Sequence, residues 1–491
     1  MSRVNWQYQW ARKFSASRFE VVMRVFFSDF YKQEFGARIA NSMVASYGKN
    51  HVIYHDPDEW NAFAQPVFAK ACSSLDAFYK YKVMIETDQQ QFVKVCQEIV
   101  EKELGSASPE QLSKMYEKYD RAYLDFFNTA IWIPFIVEPL INEDADAELK
   151  KLSERRGLQD RYEEFFDAIF LPEKKNAVTQ EREDLLKIVQ AVEEGGLGEE
   201  EIRQRLEEHT NKYCWIPCYD IYDKPWTEVD FKQSHEDASQ SDWQDELQRI
   251  KDVERRHEQF VKALDELQCD ERLRTLFTIT HELTFIKDER DDFRRRGSFL
   301  IQPFFIELGK RMGGLSLPEV SNLISTEVRD FFQTGALPLT EKIKERVDGY
   351  VLKRKDDSEQ VEIYSGQEAE EVKARELAHL QKEEVQDVKG IVGSNGVATG
   401  PARLVITKHD LRKVEPGDIM VAVTTHPDYV PAMRRCAAIV TDEGGLTCHA
   451  AIVARELQIP CIVGTKLATA TFQDGEILVL DAENGSARKV E

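Results

Sequence analysis

The feature that most constrains the fold of this chain is the run GGLTCHAAIVAR at positions 444–455. Gly444 and Gly445 allow a sharp backbone turn and a close approach of backbone amides to a ligand. The small and aliphatic residues after them form a helical face, so Thr447 and His449 fall in the first turn of a helix. Unpaired amides and the helix dipole favour an anion at that position. The run therefore predicts a strand-turn-helix connection with a histidine beside an anion site.

The chemistry expected of this histidine follows from the properties of imidazole. An imidazole near neutrality is partly unprotonated, so His449 is both a usable nucleophile and a good leaving group for a phosphoryl group. Thr447 is expected to donate a hydroxyl hydrogen bond to that group. A structural histidine, buried in a tight strand-turn-helix connection, is the alternative interpretation.

The whole run resembles the phosphohistidine signature of the swivelling domain in phosphoenolpyruvate synthases, pyruvate phosphate dikinase, enzyme I of the sugar phosphotransferase system and rifampicin phosphotransferase. Further segments that agree with it are Lys389-Gly390-Ile391, Gly396, Gly400-Pro401-Ala402, Gly417 to Val421 and Ile459 to Gly464. The resemblance covers about residues 386–491 and implies a C-terminal β/β/α swivelling domain that moves between two active sites. It also implies that His449 is phosphorylated on Nε2, and that Gly444, Gly445, Thr447 and Arg455 belong to the same catalytic site.

Upstream of residue 386 the pattern is overwhelmingly helical. Glu181 to Glu194 is predicted to form one helix, which the following glycines stop, and Glu199 to Lys212 the next. Residues 243–296 are nearly devoid of Gly and Pro and carry apolar residues at spacings of three and four, which predicts long amphipathic helix broken once. The expected fold class is multidomain α plus α/β, with a large all-helical N-terminal region before the swivelling domain.

The predicted domain boundaries follow from these patterns. Residues 1–340 are expected to form the helical domain, which would bind an acceptor or a partner. Residues 341–385 are expected to form a hairpin, from alternation around positions 349–352 and 361–364, followed by a charged helical hinge. Residues 386–491 form the predicted swivelling domain.

The helical region resembles, more weakly, the helical domain that precedes the swivelling domain in rifampicin phosphotransferase and related synthases. The segments that carry this resemblance are Tyr213 to Pro217, Glu289 to Arg296 and Phe305 to Met312. It implies that Arg290, Arg294 and Trp215 bind substrate. The alternatives are that the arginines pair with surplus carboxylates and that the aromatic residues, Trp215, Tyr219, Phe304 and Phe305, are plain core.

Two modules of the complete synthases have no counterpart in this sequence. We find no glycine-rich phosphate loop with its lysine and no segment resembling an ATP-grasp domain, and only 42 residues follow His449, too few for a barrel that binds pyruvate or phosphoenolpyruvate. The expected function is that of a phosphotransferase, incomplete without a partner, in which His449 carries a phosphoryl group to an acceptor. ATP and Mg²⁺ are expected at a nucleotide site on a separate ATP-grasp protein, and the acceptor is expected to be a small molecule with a hydroxyl group.

Two other functions remain open at this stage. One is a component of a split phosphoenolpyruvate synthase or pyruvate dikinase, with pyruvate as the acceptor. The other is a non-catalytic regulator, in which phosphorylated His449 alters docking to a partner and transfers nothing onward.

Composition excludes several classes of function. The formal net charge of −23 disfavours nucleic-acid binding, which needs concentrated positive charge. The first residues lack the apolar core of a signal peptide, and no apolar run is long enough to cross a bilayer, so a cytoplasmic protein without membrane contact is expected. Its eight cysteines lack paired regular spacing and are expected to be reduced.

Two pairs of residues have the side chains of metal ligands. Cys214 and Cys218 lie close in sequence, but further ligands nearby are not evident, and unconnected core thiols are favoured. His51 and His55 are four residues apart, but Pro57 and the β-branched residues between the histidines favour a loop or a short strand over a helix. We therefore predict no metal site on this chain.

Overall fold

The computed structural model describes residues 4, 6–47, 50–240, 242–354, 360–378, 387–406, 408–425, 429–446 and 448–490. By its internal contacts the chain divides into two units. The smaller unit comprises Met1–Lys13, Ser42–Pro57 and Gln367–Glu491. The larger unit comprises Phe14–Asn41 and Asp58–Gly366.

The described residues form the following elements. The helices are α1 (Ala16–Phe26), α2 (Asp29–Phe35), α3 (Pro57–Ala71), α4 (Leu75–Val100), α5 (Pro109–Phe126), α6 (Trp132–Arg156), α7 (Tyr162–Phe170), α8 (Ala177–Glu193), α9 (Glu199–Tyr213), α10 (Glu228–Ser239), α11 (Trp243–Asp252), α12 (Arg256–Glu266), α13 (Glu271–Arg311), α14 (Leu317–Ser321), α15 (Ser325–Thr334), α16 (Thr340–Asp348), α17 (Gly366–Glu376), α18 (Val430–Met433), α19 (His449–Leu457) and α20 (Ala468–Thr471). The strands are β1 (Gln7–Arg12), β2 (Ser42–Tyr47), β3 (Asn50–His55), β4 (Tyr350–Arg354), β5 (Val361–Ser365), β6 (Asp387–Lys389), β7 (Ile391–Ser394), β8 (Val397–Val405), β9 (Ile419–Ala422), β10 (Ala438–Thr441), β11 (Cys461–Val463), β12 (Ile477–Asp481) and β13 (Ser486–Lys489).

The helix boundaries in the larger unit have local causes that the sequence indicates. Helix α8 ends just before Gly195, whose φ of +71° is the left-handed conformation that glycine adopts most easily. Helix α9 then begins after Gly198, whose amide donates to the Glu201 carboxylate at 2.9 Å. The predicted pair of helices is therefore confirmed, and so is the large helical region. The long helix predicted over 243–296 is split into α11, α12 and α13. A 3₁₀ turn, Val253–Arg255, separates α11 from α12, and the left-handed Gln268 lies between α12 and α13.

Helix α13 is the central element of the larger unit. Asp270 caps its first turn by accepting from the Leu273 amide at 2.8 Å. In its interior, Gly297 lies against helix α4, and a Cβ atom at this position would stand 2.1 Å from the ring of Phe92. A glycine inside a helix normally costs stability, so its use here is explained by the close packing of the two helices. Between α5 and α6 the backbone forms a π-helical turn, Phe127–Ile131, of a kind that is frequent at functional sites.

The large helical N-terminal region is confirmed, but three strands accompany α1 and α2 within its first 55 residues. Strand β3 pairs antiparallel with both β1 and β2. His51 and His55 lie on β3, in agreement with the predicted short strand, and both side chains are buried. The sequence pattern missed β1 and β2 because their residues lack strict alternation, and the pairing of β1 with β3 joins positions about 40 residues apart.

The predicted hairpin before the C-terminal region is present. Strands β4 and β5 pair antiparallel, with Val351 opposite Tyr364. Helix α17 follows, and within the smaller unit Lys373 donates to the Ser46 carbonyl at 2.9 Å while Trp6 donates to Glu376 at 3.3 Å. The smaller unit thus contains both the N-terminal strands and the C-terminal residues. The predicted boundaries at 340 and 385 placed these two parts of the chain in different domains. The last part of the predicted hinge, 379–386, lies outside the described residues.

The C-terminal residues form a mixed sheet with strand order β6-β13-β12-β8-β9-β10-β11-β7. Strand β8 belongs to two pairings: positions 397–401 run antiparallel to β12, and positions 402–405 run parallel to β9. Gly400 lies near this change of partner, where a Cβ atom would stand 2.1 Å from the Gly417 carbonyl oxygen. Strands β9 and β10 are buried along their whole length, as expected of parallel strands covered on both faces.

One helical stretch among the described residues, Pro109–Arg156, is long and apolar enough by composition to cross a bilayer. Of its most apolar window, 67% is buried inside the structure. That burial is typical of a core helix, and a single stretch of this kind is weak evidence for a membrane span.

Candidate functional site

The loop between β10 and α19 positions His449. Strand β10 ends at Thr441, and His449 is the first residue of α19. Gly444 in this loop has φ of +118°, and a Cβ atom there would stand 2.6 Å from the Cys448 Sγ atom. Only glycine fits such a position, because both the backbone conformation and the space exclude a side chain. Gly445 faces open space, so the two glycines of the run have different roles.

Helix α19 begins with the geometry that an anion site requires. Cys448 has extended backbone angles and acts as the N-cap, with its Sγ atom accepting from the Ala451 amide at 3.5 Å. The other amides of the first turn and the helix dipole give this end of the helix a partial positive charge. Thr447, the predicted hydroxyl donor, lies outside the described residues. The described part of the loop therefore agrees with the predicted strand-turn-helix connection.

Small residues allow α19 to lie close to the sheet. Ala450, Ala451 and Ala454 are all buried in the core on this face of the sheet. A Cβ atom on Gly393 of β7 would stand 3.0 Å from the Cβ atom of Ala451, so this glycine also sets the distance between strand and helix. The base of the helix is thereby fixed, and His449 is held at its exposed end.

Thr425 is the residue of this site that the sequence interpretation missed. Its hydroxyl group lies 2.8 Å from Nδ1 of His449, and its side chain is 4% exposed. Thr425 follows β9, and β9 is the parallel neighbour of β10, so the residues after both strands meet at the same edge of the sheet. The signal for it was a polar residue just after a buried strand.

Arg455 lies two turns along α19 and holds the loop rather than facing an anion in this arrangement. Its Nη2 atom donates to the Leu446 carbonyl and its Nη1 atom to the Gly393 carbonyl, each at 2.9 Å. The arginine of the signature therefore links the glycine turn to strand β7. We assign Arg455 a positioning role, and its place in the catalytic site stays a prediction.

Asp442 supports the loop from the other side. Its carboxylate accepts from the Thr469 amide at 3.0 Å and from the hydroxyl groups of Thr469 and Thr465, while its carbonyl accepts from the Lys466 amide at 2.8 Å. Burial raises the pKa of Asp442 to about 6, although these hydrogen bonds oppose the shift. The loop that carries His449 is thus anchored to the segment after β11.

The two arginines predicted to bind substrate lie on α13 in the larger unit. Arg290 donates to the Ile131 carbonyl of the π-helical turn at 2.7 Å, and Arg294 pairs with Asp291 at 3.0 Å. Burial lowers the pKa of both arginines. The alternative of pairing with carboxylates is therefore observed for Arg294, and Arg290 also pairs with Asp291, at 3.9 Å.

Trp215 lies in the irregular segment after α9. It packs against a small cluster built on Tyr213, Ile216 and Phe231, and its indole donates to the Lys212 carbonyl at 2.8 Å. The described contacts of Trp215 are those of a structural residue. Phe304 and Phe305 are likewise buried in the core, whereas Tyr219 stacks on arginine side chains of α13.

Comparison with known sequences supports the interpretation of the C-terminal region. Residues 414–485 match the family described as PEP-utilising enzyme, mobile domain. The probable phosphoenolpyruvate synthase of Archaeoglobus fulgidus is 53% identical over 98 residues, which are 20% of this chain and 13% of that protein. The phosphoenolpyruvate synthase of Pyrococcus furiosus is 47% identical over 120 residues, which are 24% of this chain and 15% of that protein. The chain thus matches only a small part of the length of these relatives.

Among solved structures, aconitase X of Thermococcus kodakaraensis aligns with 21% of this chain and 98% of its own length. The sequence identity is 16% and the TM-score is 0.18, values that carry no conclusion about function.

Proposed function

Because residues 414–485 are a mobile domain of the PEP-utilising type, we propose that this chain transfers phosphoryl groups through a phosphohistidine at His449. In this proposal the donor is ATP bound with Mg²⁺ on a separate ATP-grasp protein in the cytoplasm. The acceptor is the hydroxyl group of a small molecule bound by the larger unit. Tethering the carrier to the acceptor unit would supply a high effective concentration for the second transfer.

The observation that carries this proposal is the hydrogen bond between Thr425 and Nδ1 of His449 at the N-terminus of α19. In the neutral tautomer whose Nδ1–H donates to the threonine oxygen, the lone pair of the ring lies on Nε2. In this tautomer Nε2 is the nucleophile, and the Thr425 oxygen accepts the hydrogen bond from Nδ1–H. The partial positive charge of the helix end would stabilise the incoming phosphoryl group.

The proposed reaction consists of two displacements at phosphorus. In the first, Nε2 of His449 forms a bond to phosphorus while the bond from phosphorus to the leaving oxygen of the nucleotide breaks. In the second, the acceptor oxygen attacks the same phosphorus, the N–P bond breaks, and the hydroxyl proton passes to a base. The histidine returns to its starting state, so one difficult transfer is divided into two easier ones.

The test is transfer of label from ATP to the full chain. The chain is mixed with an ATP-grasp protein encoded next to it and with ATP labelled at the β or the γ position, and protein-bound label is followed. Wild type is expected to become labelled, His449→Ala is not, and His257→Ala serves as a control because that side chain is 67% exposed and lies in the larger unit. Label that persists in His449→Ala would place the phosphorylated residue elsewhere and contradict the proposal.

The names of the matched relatives favour one second candidate, in which pyruvate is the acceptor. Phosphohistidine would then lose its label when pyruvate alone is added, or when a barrel-containing partner and pyruvate are added together. Discharge by a hydroxyl compound but not by pyruvate would favour the first proposal. Label that neither class of compound removes would favour a regulatory phosphohistidine.

A further inference from the structure

Three arginine side chains of the larger unit converge on two aromatic rings. The guanidinium carbons of Arg18 and Arg294 lie 5.1 Å and 5.4 Å from the centre of the Phe14 ring. Those of Arg294 and Arg295 lie 5.0 Å and 4.1 Å from the centre of the Tyr219 ring. Arg18, on α1, and Arg294, on α13, are thus brought to one place although 276 positions separate them in the sequence. We call Arg18, Arg294, Arg295, Phe14 and Tyr219 the arginine cluster.

Several buried donors in and beside the arginine cluster have no hydrogen-bond partner among the described residues. Arg18 is 1% exposed and donates from Nη2 to the Ser298 hydroxyl at 2.7 Å, but its Nη1 atom has no hydrogen-bond partner among the described residues. The same holds for Nε of Arg294, which is 8% exposed. The buried hydroxyl of Tyr123, whose ring centre lies 5.5 Å from the Arg18 guanidinium carbon, also lacks a partner within that part of the chain. A buried donor without an acceptor is costly, so these groups together indicate a missing acceptor-rich ligand.

Asp220 does not fill that role. Its carboxylate already accepts from the Ser15 amide at 2.9 Å, the Ser15 hydroxyl at 3.0 Å and the Ile221 amide at 2.6 Å. It lies 3.4 Å from Nε of Arg18 as an ion pair, but the Nη1 atom faces elsewhere. Its hydrogen-bonding capacity is therefore largely used by the backbone around it.

Several carboxylates lie near the arginine cluster. Asp291 pairs with Arg294 and is 29% exposed, so water weakens that pair. Asp292 lies 3.5 Å from Arg295, and burial raises its pKa to about 8. Burial opposes it, but nearby groups, Asp220 and Asp223 among them, raise the pKa of Arg18. The observation that indicates a ligand is therefore the set of buried donors without an acceptor among the described residues.

We propose that Arg18, Arg294 and Tyr123 bind an anionic group, a carboxylate or a phosphate, of a small molecule whose adjacent part contacts the rings of Phe14 and Tyr219. Arginine is suited to this because its planar fork binds such oxygen atoms in pairs. The half-buried Tyr219 belongs to the irregular segment 214–227, which lies between α9 and α10 and covers Arg294 and Arg295. This molecule is the phosphoryl acceptor, a statement that rests on the proposed function, whereas the anion site itself does not.

The experiment measures anion binding to the full His449→Ala chain, so that no phosphoryl transfer is involved. Inorganic phosphate, benzoate and neutral benzamide are titrated separately by calorimetry and by thermal unfolding. Phosphate or benzoate is expected to bind and to raise the unfolding temperature, and benzamide is not. Stronger binding of benzoate would identify a carboxylate as the ligand group, and stronger binding of phosphate a phosphate.

Three variants locate the site. Arg294→Met is expected to weaken anion binding at least about tenfold, whereas Arg296→Met, an exposed arginine two positions along the same helix, is expected to leave it unchanged. Tyr123→Phe removes a hydroxyl without a protein partner, so it is expected to keep the unfolding temperature of the ligand-depleted protein while weakening anion binding about tenfold.

Two outcomes would overturn the proposal. If neither anion binds to the His449→Ala chain, the arginine cluster is a structural feature hydrated by buried water. If Arg296→Met weakens binding as much as Arg294→Met does, the anions respond to general surface charge. Because the assay contains no nucleotide, failure of His449 to accept label would leave its result unaffected.

Discussion

Replacement of Thr425 by valine tests the mechanism at its central contact. Valine has nearly the same shape as threonine, so the buried packing at position 425 is kept while the hydrogen bond to Nδ1 of His449 is lost. One effect is expected to slow phosphorylation. Attack makes the ring positively charged, so Nδ1–H becomes a stronger donor, and in the variant it loses its acceptor, the threonine oxygen.

The magnitude follows from the difference between two hydrogen bonds. A neutral hydrogen bond contributes about 0.5–1.5 kcal/mol, and one to a charged group about 1.5–3 kcal/mol. The 2.8 Å bond changes from the first kind to the second as the phosphoimidazolium forms, so about 1–1.5 kcal/mol of transition-state stabilisation is lost in the variant. That loss corresponds to about a five- to twelvefold slower formation of phosphohistidine.

The assay uses a small-molecule phosphoryl donor, phosphoramidate, so that no partner protein is needed. Phosphohistidine formation is followed by ³¹P NMR, and the tautomer of His449 is read from its imidazole ¹⁵N shifts. Thr425→Ser keeps the hydroxyl group and is expected to react at nearly the wild-type rate with the wild-type tautomer. Equal rates for wild type and Thr425→Val, or an equally slow Thr425→Ser, would refute the reasoning.

Three further predictions concern stability. Gly444→Ala is expected to lower the free energy of unfolding by about 2 kcal/mol and to abolish phosphorylation, because its Cβ atom would lie 2.6 Å from the Cys448 Sγ atom. Gly445→Ala is the control and is expected to stay close to wild type in thermal unfolding and labelling. Gly297→Ala is expected to lower the free energy of unfolding by about 1–3 kcal/mol in urea, because its Cβ atom would lie 2.1 Å from the Phe92 ring. Helix propensity alone predicts the opposite, a gain of about 1 kcal/mol. Native Asp442 keeps its proton up to about pH 6 while the unfolded chain releases it near 3.8, so stability should fall by about 3 kcal/mol as pH rises through that range and stay level above it. Asp442→Asn should flatten this dependence in urea unfolding followed at several pH values, and an unchanged slope would contradict the assignment.

The parts of the fold that the sequence predicted are those with local causes. The stop between α8 and α9 depends on glycines that adjoin the helix ends, and the turn before α19 depends on Gly444. The hairpin of β4 and β5 was visible because its strands are neighbours in the sequence. In each case the residues that determine the structure lie within a few positions of one another.

The parts that the sequence did not predict depend on distant partners. Thr425 became part of the site only through the parallel pairing of β9 with β10, which no local pattern displays. Similarly, the sequence left open whether the arginines of α13 bind substrate or pair with carboxylates, and it did not show that Arg294 is buried against Phe14, just before α1, and Tyr219, after α9. Burial of charge is a property of the assembled unit, so charge patterning along the chain could not reveal it.

The burial of β9 and β10 on both faces has a mechanical consequence for His449, the proposed phosphoryl carrier. Along these strands alternate residues enter opposite cores: Met420 packs on the side of α19, while Ile419 and Val421 pack on the other. Displacement of either strand would open both cores. The backbone amides of the two strands should therefore exchange with solvent only when the whole sheet unfolds. The short loop after β10 connects His449 directly to these strands. Any long-range displacement of His449 must then be a translation or rotation of the sheet and α19 together. The distances between the imidazole ring and its neighbouring residues would stay the same throughout that movement.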